Sequence, residues 1–191
     1  MLTPVCGLVV ASLLLVPTLD RPSEAPSAPD TAVLEFLGFR AGARLDELAV
    51  HLRSMAAGKL RCRRSRIDHR VSECRAALDE ERVGGAAELW VSAMDSVAGV
   101  ITLSGVLATD QLEHWRATLE TQYGRVGARN QGTQWMQQWV RRGRMLRLTW
   151  RLERGEKVAS VSLVDGRVLD AWGRSGTPGR AVAGQSASRT R

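Results

Sequence analysis

The chain is poor in the residues and spacings that announce chemistry. Its 191 residues contain no G-x-S-x-G elbow, no HExxH helix, no phosphate loop and no dinucleotide fingerprint. Histidine is scarce, and His51 and His114 fall in helical stretches with no second histidine or acid at ligand spacing on the same face. Cys62, His69 and Cys74 offer three zinc ligands where a structural site takes four, and neither CxxC nor HxxxH pairing occurs. Asp46-Glu47 belongs to the opening turn of a helix and Asp79-Glu80-Glu81 to a loop, so neither holds two carboxylates across a cleft. The expectation is a non-enzymatic protein with no catalytic residues, no metal and no cofactor.

Lysine is nearly absent as well. Only Lys59 and Lys157 occur, so 25 of the 27 basic residues are arginine. The net charge of +7 is split between the Cys62–Cys74 segment, the stretch Arg141–Arg154 and the C-terminal tail. Charge clustered in such segments is usually solvated, and no nucleic-acid partner is expected. Cysteine is limited to three, and Cys6 lies in an apolar run over residues 2–19 that carries no charge. A terminal run of this kind reads as an export signal over about residues 1–20. No basic residue precedes it, and Ser23-Glu24-Ala25, the nearest cleavage site, is followed by Pro26. The alternative is an anchor formed by residues 2–19, since ~18 apolar residues just span a bilayer. Without Cys6 an even pair remains, and in a periplasmic or extracellular protein Cys62 and Cys74 are expected to form a disulfide.

Residues 21–32 read as a Pro/Ser/Ala linker. Residues 173–191 are Gly, Ser, Ala and Arg with no aromatic residue and read as a disordered tail. Between them, residues 33–172 form one expected α+β domain of two pseudo-repeats, about 38–105 and 109–166. A first helix is expected from about Arg44 to Ala57, with an apolar stripe of Leu45, Leu48, Leu52 and Met55 and a stop at Gly58. A second runs from about Asp110 to Tyr123, with Leu112, Trp115, Leu119 and Tyr123 on its stripe and Asp110 and Glu113 spaced as a capping box. Each precedes a hairpin. Trp90, Ile101 and Leu103 recur 60 residues later as Trp150, Val161 and Leu163.

Turn parity then assigns faces. A Gly155-Glu156 turn sets Trp150 opposite Val161 and Leu148 opposite Leu163. A turn at Arg142-Gly143 sets Trp135 opposite Trp150 and Trp139 opposite Leu146. These residues line the inner face of an antiparallel sheet covered by the two helices, while Gln134, Gln138, Arg147, Thr149, Arg151, Ser160 and Ser162 line the outer one. In the first unit the same parity pairs Trp90 with Ile101 on the inside. It leaves Leu89, Val91, Ala93, Ala98 and Val100 outside, an apolar face that requires a cover. That cover is the segment Val33–Phe39, a second copy of the chain or another protein.

Tandem helix-plus-sheet units, a short disulfide loop after the first helix and the lead-in Gly38-Phe39-Arg40-Ala41-Gly42 together resemble two related families. One is the β-lactamase inhibitory proteins, with two such repeats. The other is the small outer-membrane β-barrel-assembly lipoproteins, with one. The likeness covers about residues 38–165 and is one of architecture; the lipid-bearing cysteine of the lipoproteins has no counterpart here. The resemblance implies protein binding through the sheet's outer face. The candidate binding face is therefore Leu89, Val91, Ala93 and Val100, with an unknown protein or a second copy as partner. The alternative is an anionic envelope component held by Arg147, Arg151, Arg63, Arg64 and Arg66.

Overall fold

A computed structural model describes residues 33–55, 57–78 and 83–175. The expected export signal, the linker and the tail beyond Ser175 lie outside the described residues. The chain opens on a two-stranded antiparallel pair, β1 (Glu35–Phe36) and β2 (Phe39–Arg40), followed by helix α1 (Leu45–Ser54). Four strands come next: β3 (Arg61–Arg64), β4 (Val71–Leu78), β5 (Ala87–Met94) and β6 (Val97–Leu107). Helix α2 (Thr109–Tyr123) leads to β7 (Arg129–Gln131), β8 (Gln134–Arg141), β9 (Arg144–Glu153) and β10 (Glu156–Asp165). Helix α3 (Gly166–Ser175) closes the described chain. Strands β3 to β10 form one antiparallel sheet in the order β3-β4-β5-β6-β10-β9-β8-β7, so β6 and β10 lie side by side at its centre. The architecture is α+β.

Both expected helical stripes are buried. Leu48 and Leu52 from α1, with Met55 just after it, join Leu112, Trp115, Leu119 and Tyr123 from α2 in a single core against the sheet. The capping box does not form. Helix α2 begins at Thr109 with Ala108 before it and no side-chain cap, and Glu113 instead pairs with Arg116 at 2.8 Å. The other end of α2 is well satisfied. Trp139 Nε1 donates to the Gly124 carbonyl at 2.8 Å and Arg141 to the Tyr123 carbonyl at 3.0 Å. The Tyr123 hydroxyl accepts the Glu35 N–H and donates to the Glu35 carbonyl, both at 2.8 Å, which ties β1 to this helix.

Four two-residue turns, Leu37-Gly38, Asp95-Ser96, Arg142-Gly143 and Arg154-Gly155, have both central residues at positive φ, the type I′ geometry that matches strand twist. The Arg142-Gly143 turn gives Trp135 opposite Trp150 and Trp139 opposite Leu146, as parity requires. The next turn lies one residue earlier than the expected Gly155-Glu156. Trp150 therefore faces Ala159 and Leu148 faces Val161, a two-residue slide that leaves every side chain on its expected face.

The first unit departs more seriously. From the Asp95-Ser96 turn, Met94 pairs with Val97 and Ala93 with Ala98, but Ser92 then pairs with Val100. Gly99 is the extra residue of a β-bulge. Beyond it the register is shifted by one, so Val91 rather than Trp90 faces Ile101, and Trp90 faces Thr102. A one-residue shift exchanges the two faces of a strand. Leu89, Val91 and Ala93 thus point into the core, and Trp90 points out.

The segment read as a disulfide loop is a strand pair that extends the sheet. Cys62 and Cys74 face each other across β3 and β4 and are bonded. Closing a loop of this length stabilises the fold by roughly 3 kcal/mol on the chain-entropy estimate. Helix α3 was not legible from the sequence, and its last turn, Gly173–Ser175, replaces the expected start of the disordered tail. Asp165 caps it, accepting the Arg167 N–H at 3.0 Å. Val168 and Leu169 of α3 lie over Gly99, where a Cβ would come within 3.2 Å of them.

Candidate interaction surfaces

The apolar face expected to bind a partner does not exist as a surface. Leu89, Val91, Ala93 and Ala98 are each 0% exposed and share the core with Leu34, Phe36 and Phe39. Of the three covers considered, the chain's own Val33–Phe39 segment is the one that joins them. Val100 is half-buried on the opposite side, in register with Ser92. The bulge at Gly99 accounts for the inversion.

What the sheet presents outward is mixed, with Val106 and Val140 exposed toward its ends and a polar stretch at its middle in which one aromatic residue is set. Trp90 is 41% exposed, and the Arg75 guanidinium lies 3.8 Å from its ring centroid, within cation–π range. Arg75 sits directly opposite Trp90 on β4, and Thr102 lies opposite on β6. The row continues across the centre of the sheet. Thr102 Oγ1 is 3.2 Å from Ser162 Oγ, and the Arg147 guanidinium, opposite Ser162, donates to Gln138 Oε1 at 2.9 and 3.0 Å. A parallel row has Thr149 Oγ1 2.7 Å from Ser160 Oγ, and Ser92 Oγ donates to the Glu73 carboxylate at 2.8 Å. The outer residues expected in the second unit all lie on this side. Arg61 and Arg63 join it at the edge, opposite Arg75 and Glu73. With Lys59, Glu73, Arg75 and Glu88 they line a broad open groove of about 900 Å³.

The alternative basic residues do not form one cluster. Arg147 and Arg151 stand on β9, and Arg63 and Arg64 on β3. Five strand spacings separate them in the sheet order, about 24 Å at ~4.8 Å per strand. Arg151 is engaged by Glu153 at 2.7 Å. Arg66 lies in the β3–β4 turn.

Parity also overstated the burial of tryptophan. Trp115 and Trp139 are core residues, and Trp150 packs partly against the core beneath Arg116, 5.2 Å from its ring centroid. Trp135 faces inward, yet it is 43% exposed at the end of its strand, and Leu152 on the same side is 67% exposed. Facing the helices is not enough where the sheet outruns them. Trp172, whose side the sequence left open, is half-buried on α3.

Charge and burial meet most closely at Asp165, which is 2% exposed. Its carboxylate accepts Arg144 Nε at 2.9 Å and Arg167 Nη2 at 3.1 Å besides the Arg167 backbone N–H. Burial alone would raise its pKa, but the Arg167 and Arg144 side chains reverse the effect and hold it below the ordinary carboxylate value. Gly42, at φ 88°, passes so close that a Cβ there would sit 2.8 Å from Asp165 Oδ2. Arg144, Asp165, Arg167 and Gly42 border a pocket of about 390 Å³. The arrangement is saturated with internal hydrogen bonds and ties the end of the second unit to the lead-in of the first.

Histidine has structural surroundings. His51 Nε2 lies 2.8 Å from the Leu37 carbonyl and its ring packs edge-on against Phe39 at 4.7 Å, while His114 is exposed. Among the described residues, no three His, Cys, Asp or Glu side chains gather at metal-binding distance. No helix of the described residues is long and apolar enough to cross a membrane. Comparison with known protein families, with characterised proteins and with solved structures finds no match to the chain.

Proposed function

We propose that the chain is a non-enzymatic exported binding module of two tandem helix-plus-sheet units, which takes a protein partner on the outer face of its sheet. The observation that carries this reading is Trp90, an exposed aromatic beneath Arg75 that continues in register into the hydrogen-bonded row of Thr102, Ser162, Arg147 and Gln138. Tryptophan and arginine are the residues most enriched among interface hot spots. Arg61, Arg63, Arg75, Arg129, Arg147 and Arg151 outnumber Glu73, Glu88, Glu153 and Glu156 on this side, so the complementary surface is one bearing carboxylates around an apolar side chain.

The tandem part of the reading is supported by the element order, in which a helix followed by four antiparallel strands occurs twice. The offset of 60 suits β6 and β10, where Ile101 and Leu103 match Val161 and Leu163 as inward residues. In the partner strands, the inward Val91 and Leu89 match Leu148 and Leu146, an offset of 57. Trp90 and Trp150 are therefore not equivalent positions. The disulfide is compatible with an oxidising compartment and so supports export.

The test compares oxidised full-length protein with a Trp90→Ala/Arg147→Glu variant by crosslinking in an envelope extract. Near-ultraviolet circular dichroism checks that the core is unaltered. Support is a discrete protein held by the wild type and by a Leu152→Ser control but lost from the double variant. A catch indifferent to these substitutions, or none, removes the reading.

A further inference from the structure

The turn between β3 and β4 is ordered from within. Ser65 Oγ accepts the N–H groups of Ile67 and Asp68 at 3.2 and 3.4 Å, and the Ser65 N–H donates to the Val71 carbonyl at 2.9 Å. The Val71 N–H donates to the Asp68 carbonyl at 2.9 Å, and Arg70 clasps the Asp68 carboxylate at 2.8 and 3.1 Å. The disulfide staples the strands below. A loop held this way does not fold its one apolar side chain back onto the protein. Ile67 is 98% exposed, the most exposed large apolar residue among the described ones.

Cationic charge surrounds it. From Lys59 to Arg75 there are seven basic and two acidic residues, a net charge of +5 out of the chain's +7. Asp68 is engaged by Arg70, and Arg75 lies on Trp90. Among the described residues no carboxylate comes within ion-pair distance of Arg61, Arg63, Arg64 or Arg66. No Phe, Tyr or Trp lies between Lys59 and Arg75 to stack on a base, the imidazole of His69 being the one ring there, and Ile67, at 98% exposure, has nothing around it to enclose a partner's side chain.

We propose that this tip docks on an anionic lipid bilayer, with the arginines at the lipid phosphates and Ile67 in the acyl boundary. A bilayer surface accepts an apolar side chain and a ring of guanidinium groups together and demands no matching shape. Arg64, Arg66 and Ile67 lie off the outer face around Trp90, while Arg61 and Arg63 stand at its edge, so the variants that test this proposal leave the residues that test the protein-binding one unchanged.

The experiment is co-sedimentation of oxidised full-length protein with vesicles of phosphatidylcholine alone and of phosphatidylcholine with phosphatidylglycerol. The readout is the ratio of the two partition coefficients, which divides out any charge-independent apolar contribution from residues 2–19. The wild type should favour the anionic vesicles, and salt should weaken that preference. Arg64→Glu/Arg66→Glu should lower the ratio by more than about 25-fold, at about fivefold for each arginine removed from the surface. Ile67→Ser should lower partitioning onto the anionic vesicles about tenfold, reflecting one aliphatic side chain no longer buried. Trp90→Ala should partition like the wild type. No preference for anionic vesicles, or a preference untouched by the double reversal, overturns the proposal. A preference that needs the arginines but ignores Ile67→Ser also overturns it, and assigns the tip to an anionic polymer instead.

Discussion

The two halves of the sheet differ in whether the ladder runs unbroken from its turn. In the second half, the ladders leaving the Arg142-Gly143 and Arg154-Gly155 turns run without interruption, and the inward row Leu146, Leu148 and Trp150 follows from turn position alone. In the first half the ladder leaving Asp95-Ser96 is broken at Gly99, and everything beyond it changes face. Trp90 and Trp150 are alike in sequence surroundings and opposite in orientation. Which way a strand residue points is a property of the whole ladder back to its turn, and a single inserted residue outweighs any local pattern.

The strongest way to break this comparison is to charge the row that the bulge turns inward. Val91 is fully buried in the core, so Val91→Asp should cost more than about 4 kcal/mol by leaving a carboxylate without water or partner. Trp90→Asp, one residue away, should cost far less. Urea titrations of the two variants decide it. If Val91→Asp is the milder change, the bulge is misplaced and the apolar face is external after all.

The next effect separates the halves by their edges. Strand β3 is stapled to β4 by the disulfide, whereas the opposite edge strand, β7, is three exposed residues with no such staple. Replacing both Cys62 and Cys74 by alanine should lower stability by roughly 3 kcal/mol. Native-state hydrogen exchange should show the loss first in β3 and β4, with β8 and β9 keeping their protection. Uniform loss across the sheet would mean that the bond acts on the whole fold rather than on its edge.

A smaller effect comes from the residue that joins the halves. Asp165 ionises below its ordinary value because the Arg167 and Arg144 side chains outweigh its burial. A carboxylate whose folded pKa is depressed stabilises the fold fully above the unfolded value, near pH ~4, and loses that contribution as pH falls through the folded value. Asp165→Asn should therefore cost about 1–2 kcal/mol at neutral pH, through a weakened cap and two unpaired arginines. Its stability curve should also be flatter than the wild type's below pH ~4. Thermal melts across that range are the measurement; parallel curves would show that Asp165 has no part in the acid limb.

The helices were legible because their apolar residues recur at the helical period and a glycine follows each, and the burial of Leu48, Leu52, Leu112, Trp115 and Leu119 follows directly. The cysteine pair was legible from parity of count. The second half was legible because two uninterrupted turns carry the register. Gly99 was a usable signal that went unread, since glycine inside a strand marks a bulge more often than a plain ladder position. Helix α3 had no comparable signal; its first residue is glycine, and its cap is the last residue of a strand. The tip of the β3–β4 hairpin was invisible for a different reason. The exposure of Ile67 depends on Ser65 and Asp68 ordering the turn, and the sequence does not show that, among the described residues, no carboxylate lies within ion-pair distance of Arg64 and Arg66 beside it.

The smallest effect discriminates most finely between the two tryptophans. Trp90 lies outside the core and loses mainly its contact with Arg75, so Trp90→Ala should cost less than about 1 kcal/mol, the scale of an exposed cation–π pair. Trp150 packs partly against the core and under Arg116, and Trp150→Ala should cost roughly 2–3 kcal/mol, somewhat below the range for a fully buried tryptophan. The difference reflects the opposite faces of the sheet on which the two tryptophans stand. Deleting Gly99 should close the bulge and keep the pairs as they are, with Val91 opposite Ile101 on the inside and Trp90 opposite Thr102 on the outside. Tryptophan fluorescence of the Gly99 deletion should therefore show Trp90 still exposed, and a deletion that buries Trp90 would mean that the register beyond the bulge is not the one that sets the faces of β5.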